Sequence, residues 1–248
     1  MESENIILLL TACINPNCND LLAIKDVETR KTMYIKSIQW YLQNTDYKII
    51  FCENSGTDIS STFPLNNRIE FITYKSNNTP DKTKGYKEME ILEYILKKSK
   101  FISQSDEATI LVKITGRLIA LNIKTIISKL KQLRGKSKPF VSAYLNGRKP
   151  WSDSRFIFFS ISYFPILISY KEKINKNYYF EHVVTESTKH AKKKNIKFIY
   201  PPYPLRIDGI SGGFGHSYNI STLSYFILNI KHQIRRILFT IGILPMDK

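Results

Sequence analysis

Cysteine is scarce in this chain of 248 residues, and the three present, Cys13, Cys18 and Cys52, form no Cys-x-x-Cys pair. An odd, unpatterned count excludes a disulfide framework and fits free thiols in a reducing compartment. Histidine is sparse too. His182, His190, His216 and His232 are scattered along the chain, which argues against a structural zinc site. No internal repeat and no low-complexity linker divides the sequence. The first residues, Met1 to Asn5, lack the basic region of a signal peptide and lead straight into Ile6-Ile7-Leu8-Leu9-Leu10. These absences predict a cytoplasmic protein whose first strand begins almost at once. Acidic residues are also in short supply, 21 against 37 Lys plus Arg, for a net charge of +16. That imbalance calls for an anionic partner: a nucleotide, a nucleic acid or an acidic membrane surface.

What is present is a chain rich enough in apolar residues to fold. A hydrophobic fraction of 43% and an aromatic fraction of 12% describe a globular protein. The length suits one large α/β domain or two small ones. Strands are predicted at 5–12, 47–52, 69–74, 108–114 and 140–145. Helices are predicted at 28–42, 86–98 and 122–133, with a last one over 219–242. Strands alternating with helices predict a mainly parallel sheet covered on both faces. The second half is less regular, with aromatic runs at 156–164 and 177–180 and prolines clustered at 201–204. We read one domain.

Polar residues collect after the strands. Thr11, Asn15 and Asn17 follow the first, Glu53-Asn54-Ser55-Gly56 the second, and Lys113 to Arg117 the fourth. Each group alone is ordinary turn chemistry. Their shared place is the edge at which an open α/β sheet binds ligands. The run Ala108 to Arg117 is the most informative, a buried-strand pattern ending in two cations around Gly116. Glycine there lets the backbone turn tightly and approach a ligand. Arg117 offers a planar two-point fork for a phosphate, and Lys113 a point charge.

Six segments, in order, resemble a family of bacterial glycosyltransferases that build surface polysaccharide and lipo-oligosaccharide. They are Leu-Thr-Ala-Cys-Ile-Asn-Pro-Asn (10–17), Glu-Asn-Ser-Gly (53–56), Lys-Gly-Tyr-Lys-Glu (84–88), Val-Lys-Ile-Thr-Gly-Arg (112–117), Phe-Glu-His-Val-Val (180–184) and Gly-Ile-Ser-Gly-Gly-Phe-Gly (209–215). The resemblance implies a single-domain GT-A-like, Rossmann-related fold and sugar transfer from a nucleotide-sugar donor to a lipid-linked or oligosaccharide acceptor, in capsule, O-antigen or lipo-oligosaccharide biosynthesis. Matching segments place Thr11, Asn15, Asn17, Glu53, Asn54, Ser55, Lys84, Thr115, Gly116, Ser211, Gly212 and Gly213 on the donor side. His182 and Arg155 are placed on the acceptor side. One departure is informative: most GT-A enzymes carry Asp-x-Asp after the central strand, and this chain has none anywhere. A divalent cation would normally offset the leaving diphosphate. We therefore expect no metal or other cofactor, with Lys113 and Arg117 supplying that charge. Two other roles stay open: both cations could bind ground-state phosphate only, or Lys113 could pair with an acid such as Glu53.

An inverting transfer needs one carboxylate to take the acceptor proton. Glu181 is the first candidate, because an aromatic run precedes it. Asp153 is the second and Glu53 the third, although Glu53-Asn54 is better placed for the donor. Glu181 could also be a helix-start acid that complements the dipole. His182 could tune or replace the base, or be structural. Glu88, four residues from Lys84, reads as a salt-bridge partner or a first-turn acid. The glycine-rich stretch 209–218 could form an anion-binding nest before the last helix, or a lid.

Residues 1–218 are thus expected to form the nucleotide-sugar-binding domain, and 219–248 a basic amphipathic helix. Lys231, His232, Arg235 and Arg236 interrupt its apolar pattern, so it does not span a bilayer. Its stripe is expected to pack on the domain. Its basic face also suits a peripheral position on the inner face of the plasma membrane. The rival reading is a basic nucleic-acid-binding protein without enzymatic activity. Against it, the aromatics lie in core-like runs, and no helix-turn-helix, RNP or zinc-finger pattern occurs, so no nucleic-acid partner is expected.

Overall fold

A computed structural model describes residues 5–16, 22–77, 82–135, 138–147 and 149–243. The elements run β1 (Ile6–Ala12), α1 (Val27–Asn44), β2 (Lys48–Glu53), β3 (Ile69–Thr73), α2 (Lys84–Lys98), α3 (Lys100–Ser103), β4 (Ile110–Thr115), β5 (Ile119–Ala120) and α4 (Ile123–Arg134). They continue with β6 (Phe140–Leu145), β7 (Ser152–Phe159), α5 (Tyr163–Ile168), α6 (Phe180–Lys193), β8 (Lys197–Phe198), β9 (Ile207–Asp208) and α7 (Thr222–Thr240). Seven strands join in one sheet of order β3-β2-β1-β4-β7-β6-β8, while β5 and β9 pair apart. β3, β2, β1 and β4 are parallel, and β7 runs antiparallel between β4 and β6. The fold is α/β, with a mostly parallel sheet and helices on both faces.

The unbroken apolar run of β1 has a physical reason. Leu8 and Leu10 face one layer, with Tyr34, Ile38 and Tyr41 of α1 and Ile126 and Leu130 of α4. Ile7 and Leu9 face the other, with Met89 and Leu92 of α2 and Val183 and Val184 of α6. A strand buried on both sides needs apolar residues at every position. The helix starts are set locally. Asp26 accepts the Thr29 N–H at 2.7 Å, and Thr83 accepts the Tyr86 N–H at 3.3 Å.

Two features differ from the sequence reading. The aromatic run at 156–159 is the inner strand β7. Phe156 and Phe158 face the α1/α4 layer while Ile157 and Phe159 face α2 and α6, so no period-2 pattern shows. The final helix packs on the sheet domain through the face opposite its apolar stripe. His232 is its buried side chain, whereas Leu223, Phe226 and Ile230 are exposed.

Candidate functional site

β1 lies between β2 and β4, so the chain leaves it toward opposite sides of the sheet. A crevice opens beyond the strand ends at such a switch. It is a cleft of about 1170 Å³, floored by Thr11, Asn54 and Thr115 and walled by the starts of α2 and α6 and by the loop at Gly212 and Gly213. Its rim is strongly basic, with Lys75, Lys84, Lys87, Arg117 and Lys176. Among the described residues, four buried side-chain polar atoms lack a hydrogen bond, and two belong to residues lining this cleft: Nε of Arg117 and Oδ1 of Asn54. A buried donor and a buried acceptor left open in one cavity mark where a ligand completes the bonding.

Arg117 therefore sits where the sequence suggested, but Lys113 does not. Its side chain is wholly buried beneath the floor, with Nζ 2.6 Å from Glu88 Oε1 and donating to the Ser154 carbonyl at 2.5 Å. The Phe180 ring lies 5.2 Å away. Thr11 Oγ1 donates to the same Glu88 oxygen at 2.8 Å. Lys113 is thus a tie between β4, α2 and β7, and its acidic partner is Glu88, not Glu53. Glu88, read in the sequence as a local helix acid, closes this tie from the cleft wall. Gly116 also has a different role. A Cβ there would lie 2.7 Å from the Thr11 carbonyl oxygen and 3.3 Å from the Tyr34 ring. The close approach is to β1, not to a ligand.

Glu53 is fully buried and turned away from the cavity. It accepts N–H bonds from Ile14 at 2.8 Å, Ser55 at 2.9 Å and Thr57 at 2.9 Å, together with the Ser55 hydroxyl. It braces the loops after β1 and β2 and does not line the cleft. It leaves Asn54 facing the cavity, while Ser55 Oγ accepts the Asn15 N–H at 3.0 Å. Asn15, Ser55, Lys84 and Thr115 all line the cleft. Asn17 lies outside the described residues.

On the opposite wall Glu181 stands in the first turn of α6 and lines the cleft. Its Oε1 accepts the Ser154 hydroxyl at 2.7 Å, and Ser152 Oγ donates to its backbone carbonyl at 3.0 Å. The register of β6 against β7 supplies these serines. Ala143 faces Ile157 but Tyr144 faces Asp153, a bulge that re-aims the start of β7. His182 serves the helix end: its Nδ1 accepts the Tyr179 N–H at 3.0 Å, and its ring stacks on Tyr178. It borders a separate small cavity with Trp151 and Asn146. Asp153 is no free base, because Arg155 grips both its oxygens at 2.9 and 2.5 Å. Arg155 in turn lies over Tyr218 at 4.4 Å. Burial opposes its charge, and Asp153 outweighs that effect and raises its pKa. Neither Asp153 nor Arg155 lines the cleft.

In the glycine-rich loop, Ser211 N–H donates to the His216 carbonyl and Gly215 N–H donates to the Ser211 carbonyl, both at 2.9 Å. Ser211 thus shapes the turn, while Gly212 and Gly213 present backbone to the cavity. A side chain at 212 would strike the Arg117 guanidinium. The N-terminus of the last helix does not line the cleft; Ser221 caps it by accepting the Ser224 N–H at 3.1 Å.

Several cleft residues carried no sequence signal of their role. Arg30 is buried and donates to the Cys13 carbonyl from Nε at 2.9 Å, holding the chain after β1. Its one trace is position, four residues before Tyr34 on the stripe that continues to Ile38 and Tyr41. Lys75, Lys87 and Lys176 come from three separate loops and helices, so only the fold gathers them. No group of three His, Cys, Asp or Glu side chains suited to a metal occurs among the described residues. The cleft carboxylates, Glu88 and Glu181, stand on α2 and α6 and are each bonded to protein.

No family model and no curated protein matches the chain. Solved structures of similar shape include a Desulfovibrio desulfuricans protein assigned as a nucleotide-diphospho-sugar transferase, 13% identical, with 80% of this chain and 79% of that one covered and a TM-score of 0.49. A cytidylyltransferase from Leptospira borgpetersenii is 11% identical over 99% of this chain and 98% of that one, with a TM-score of 0.48. A 4-diphosphocytidyl-2C-methyl-D-erythritol synthase is 9% identical over 92% and 99%, with a TM-score of 0.40. At such identities and scores the likeness says nothing about this chain's activity.

Proposed function

We propose that the cleft binds a nucleoside-diphosphate sugar and that the chain is an inverting glycosyltransferase acting without a metal ion. The observation that carries this reading is the open guanidinium of Arg117, with its buried Nε unbonded, at the sheet switch point of a basic cavity. A planar fork whose Nε has no partner among the described residues suits a diphosphate. Asn54 Oδ1 offers an acceptor for a donor N–H or sugar hydroxyl from the same floor. As the sugar–phosphate bond breaks, its electron pair leaves with the diphosphate, and Arg117 stabilises the growing charge. Glu181, oriented by Ser154, takes the proton of the acceptor hydroxyl as its oxygen attacks the anomeric carbon. Lys113 acts at one remove, fixing Glu88 and Thr11 under the cavity. The six segments resembling surface-glycan transferases point to a capsule, O-antigen or lipo-oligosaccharide acceptor.

The test is a thermal-shift panel of UDP, GDP and CMP sugars and of CTP, each with EDTA and with Mn²⁺. Selective stabilisation by one nucleotide sugar that survives EDTA supports the reading and names the donor class. Dependence on Mn²⁺ would remove the metal-free part. Preference for a triphosphate with release of pyrophosphate would move the protein to nucleotidyl transfer.

A further inference from the structure

The final helix meets the protein with its polar side. His232 Nε2 donates to the Pro201 carbonyl at 2.7 Å, Gln233 Nε2 to Pro202 at 2.8 Å, and the Tyr225 hydroxyl to Pro204 at 3.1 Å. Tyr200 stacks on Phe239 at 4.6 Å beside them. Opposite this face Leu223, Ile227, Ile230, Ile234, Ile237 and Ile241 form an uninterrupted stripe, each 46% to 70% exposed. A contiguous aliphatic surface of this kind on a soluble face marks an interaction site.

Charge identifies what covers it. Between Gly209 and Ile243 there is no Asp or Glu, while α7 carries Lys231, Arg235 and Arg236. Lys231 and Arg235 are exposed on one flank of the stripe. The 4,3,4,3,4 spacing would also suit pairing with a second copy. Such a pair would bring these cations together with no carboxylate from either helix to answer them. Lipid phosphates do answer them, and the whole chain adds a field of the same sign, net +16. No helix among the described residues is long and apolar enough to cross a membrane. A 19-residue helix instead lies flat, about 28 Å along the surface. We infer that α7 is an in-plane membrane anchor that seats its isoleucine stripe in an anionic bilayer. This does not rest on the transferase reading.

The experiment is co-sedimentation of the full chain with phosphatidylcholine vesicles, with and without phosphatidylglycerol. Light scattering without lipid runs in parallel. The chain should sediment with the anionic vesicles only and be released by high salt. Ile230→Glu with Ile234→Glu should lower the bound fraction roughly tenfold or more at an unchanged melting temperature. Hydrogen exchange over 223–241 in the unaltered chain should slow when anionic vesicles are added. Failure to sediment with anionic vesicles, or equal binding to neutral ones, would overturn the inference. So would a lipid-free dimer that the double substitution turns into a monomer.

Discussion

At position 116 a single methyl group is decisive, since it would press on the Thr11 carbonyl where β4 leaves the sheet beside β1. Gly116→Ala should destabilise the protein by about 2 kcal/mol, the cost of overpacking a tight contact, read as a lower urea midpoint. Glu88 is sensitive for an electrostatic reason. Its removal leaves the Lys113 ammonium buried with the Ser154 carbonyl and, at 3.5 Å, the Thr115 hydroxyl as neutral partners. Glu88→Ala should therefore cost about 3 kcal/mol, and Lys113→Met in the same chain should restore much of it. Arg117 is the contrast. Its buried Nε has no hydrogen-bond partner among the described residues, so Arg117→Ala should leave the melting temperature nearly unchanged. Nucleotide-sugar affinity should fall roughly tenfold to a hundredfold, as for a lost charge-assisted bond, measured by calorimetry.

Among the elements, α7 carries a contact that responds to pH. Burial, followed by the nearby Arg235 and Arg236 charges, lowers the pKa of His232 against the help of its Pro201 bond. The unfolded imidazole takes its proton near the ordinary 6.5. The folded state therefore binds fewer protons, and stability is complete above that value and declines as pH falls below it. The melting temperature should drop between about pH 7.5 and 5.5. His232→Asn should flatten that slope, seen in paired melts at both pH values. The elements also show what local pattern conveys. The helical period of α1 and the apolar run of β1 were readable because each repeats one environment along its length. β7 was not, because only its second half is apolar, while its first half, Ser152 to Arg155, is polar and lies at the bulge against β6. Only the shift between Ala143 and Tyr144 turns Ser152 and Ser154 toward Glu181.

For the whole molecule, the charge of +16 raises a question that salt can answer. Binding to single-stranded nucleic acid should weaken steeply with ionic strength. Stabilisation by a nucleotide sugar, held in a cleft by directed bonds, should persist into high salt. Titrating both ligands across a salt series by fluorescence and thermal shift checks this. By itself, the sequence determined the α/β alternation, the polar strand ends, the lack of Asp-x-Asp and the excess of cations, because each is a property of composition or of short period. Tertiary structure decided which of those cations meets the cleft. Lys113 and Arg117 are four residues apart, yet the pleat sends one under the sheet to Glu88, while the turn after Thr115 carries the other to the cavity. It likewise sent Glu53 inward to bind four groups and turned the isoleucines of α7 outward. Such choices depend on partners far away in the chain, and local sequence does not encode them.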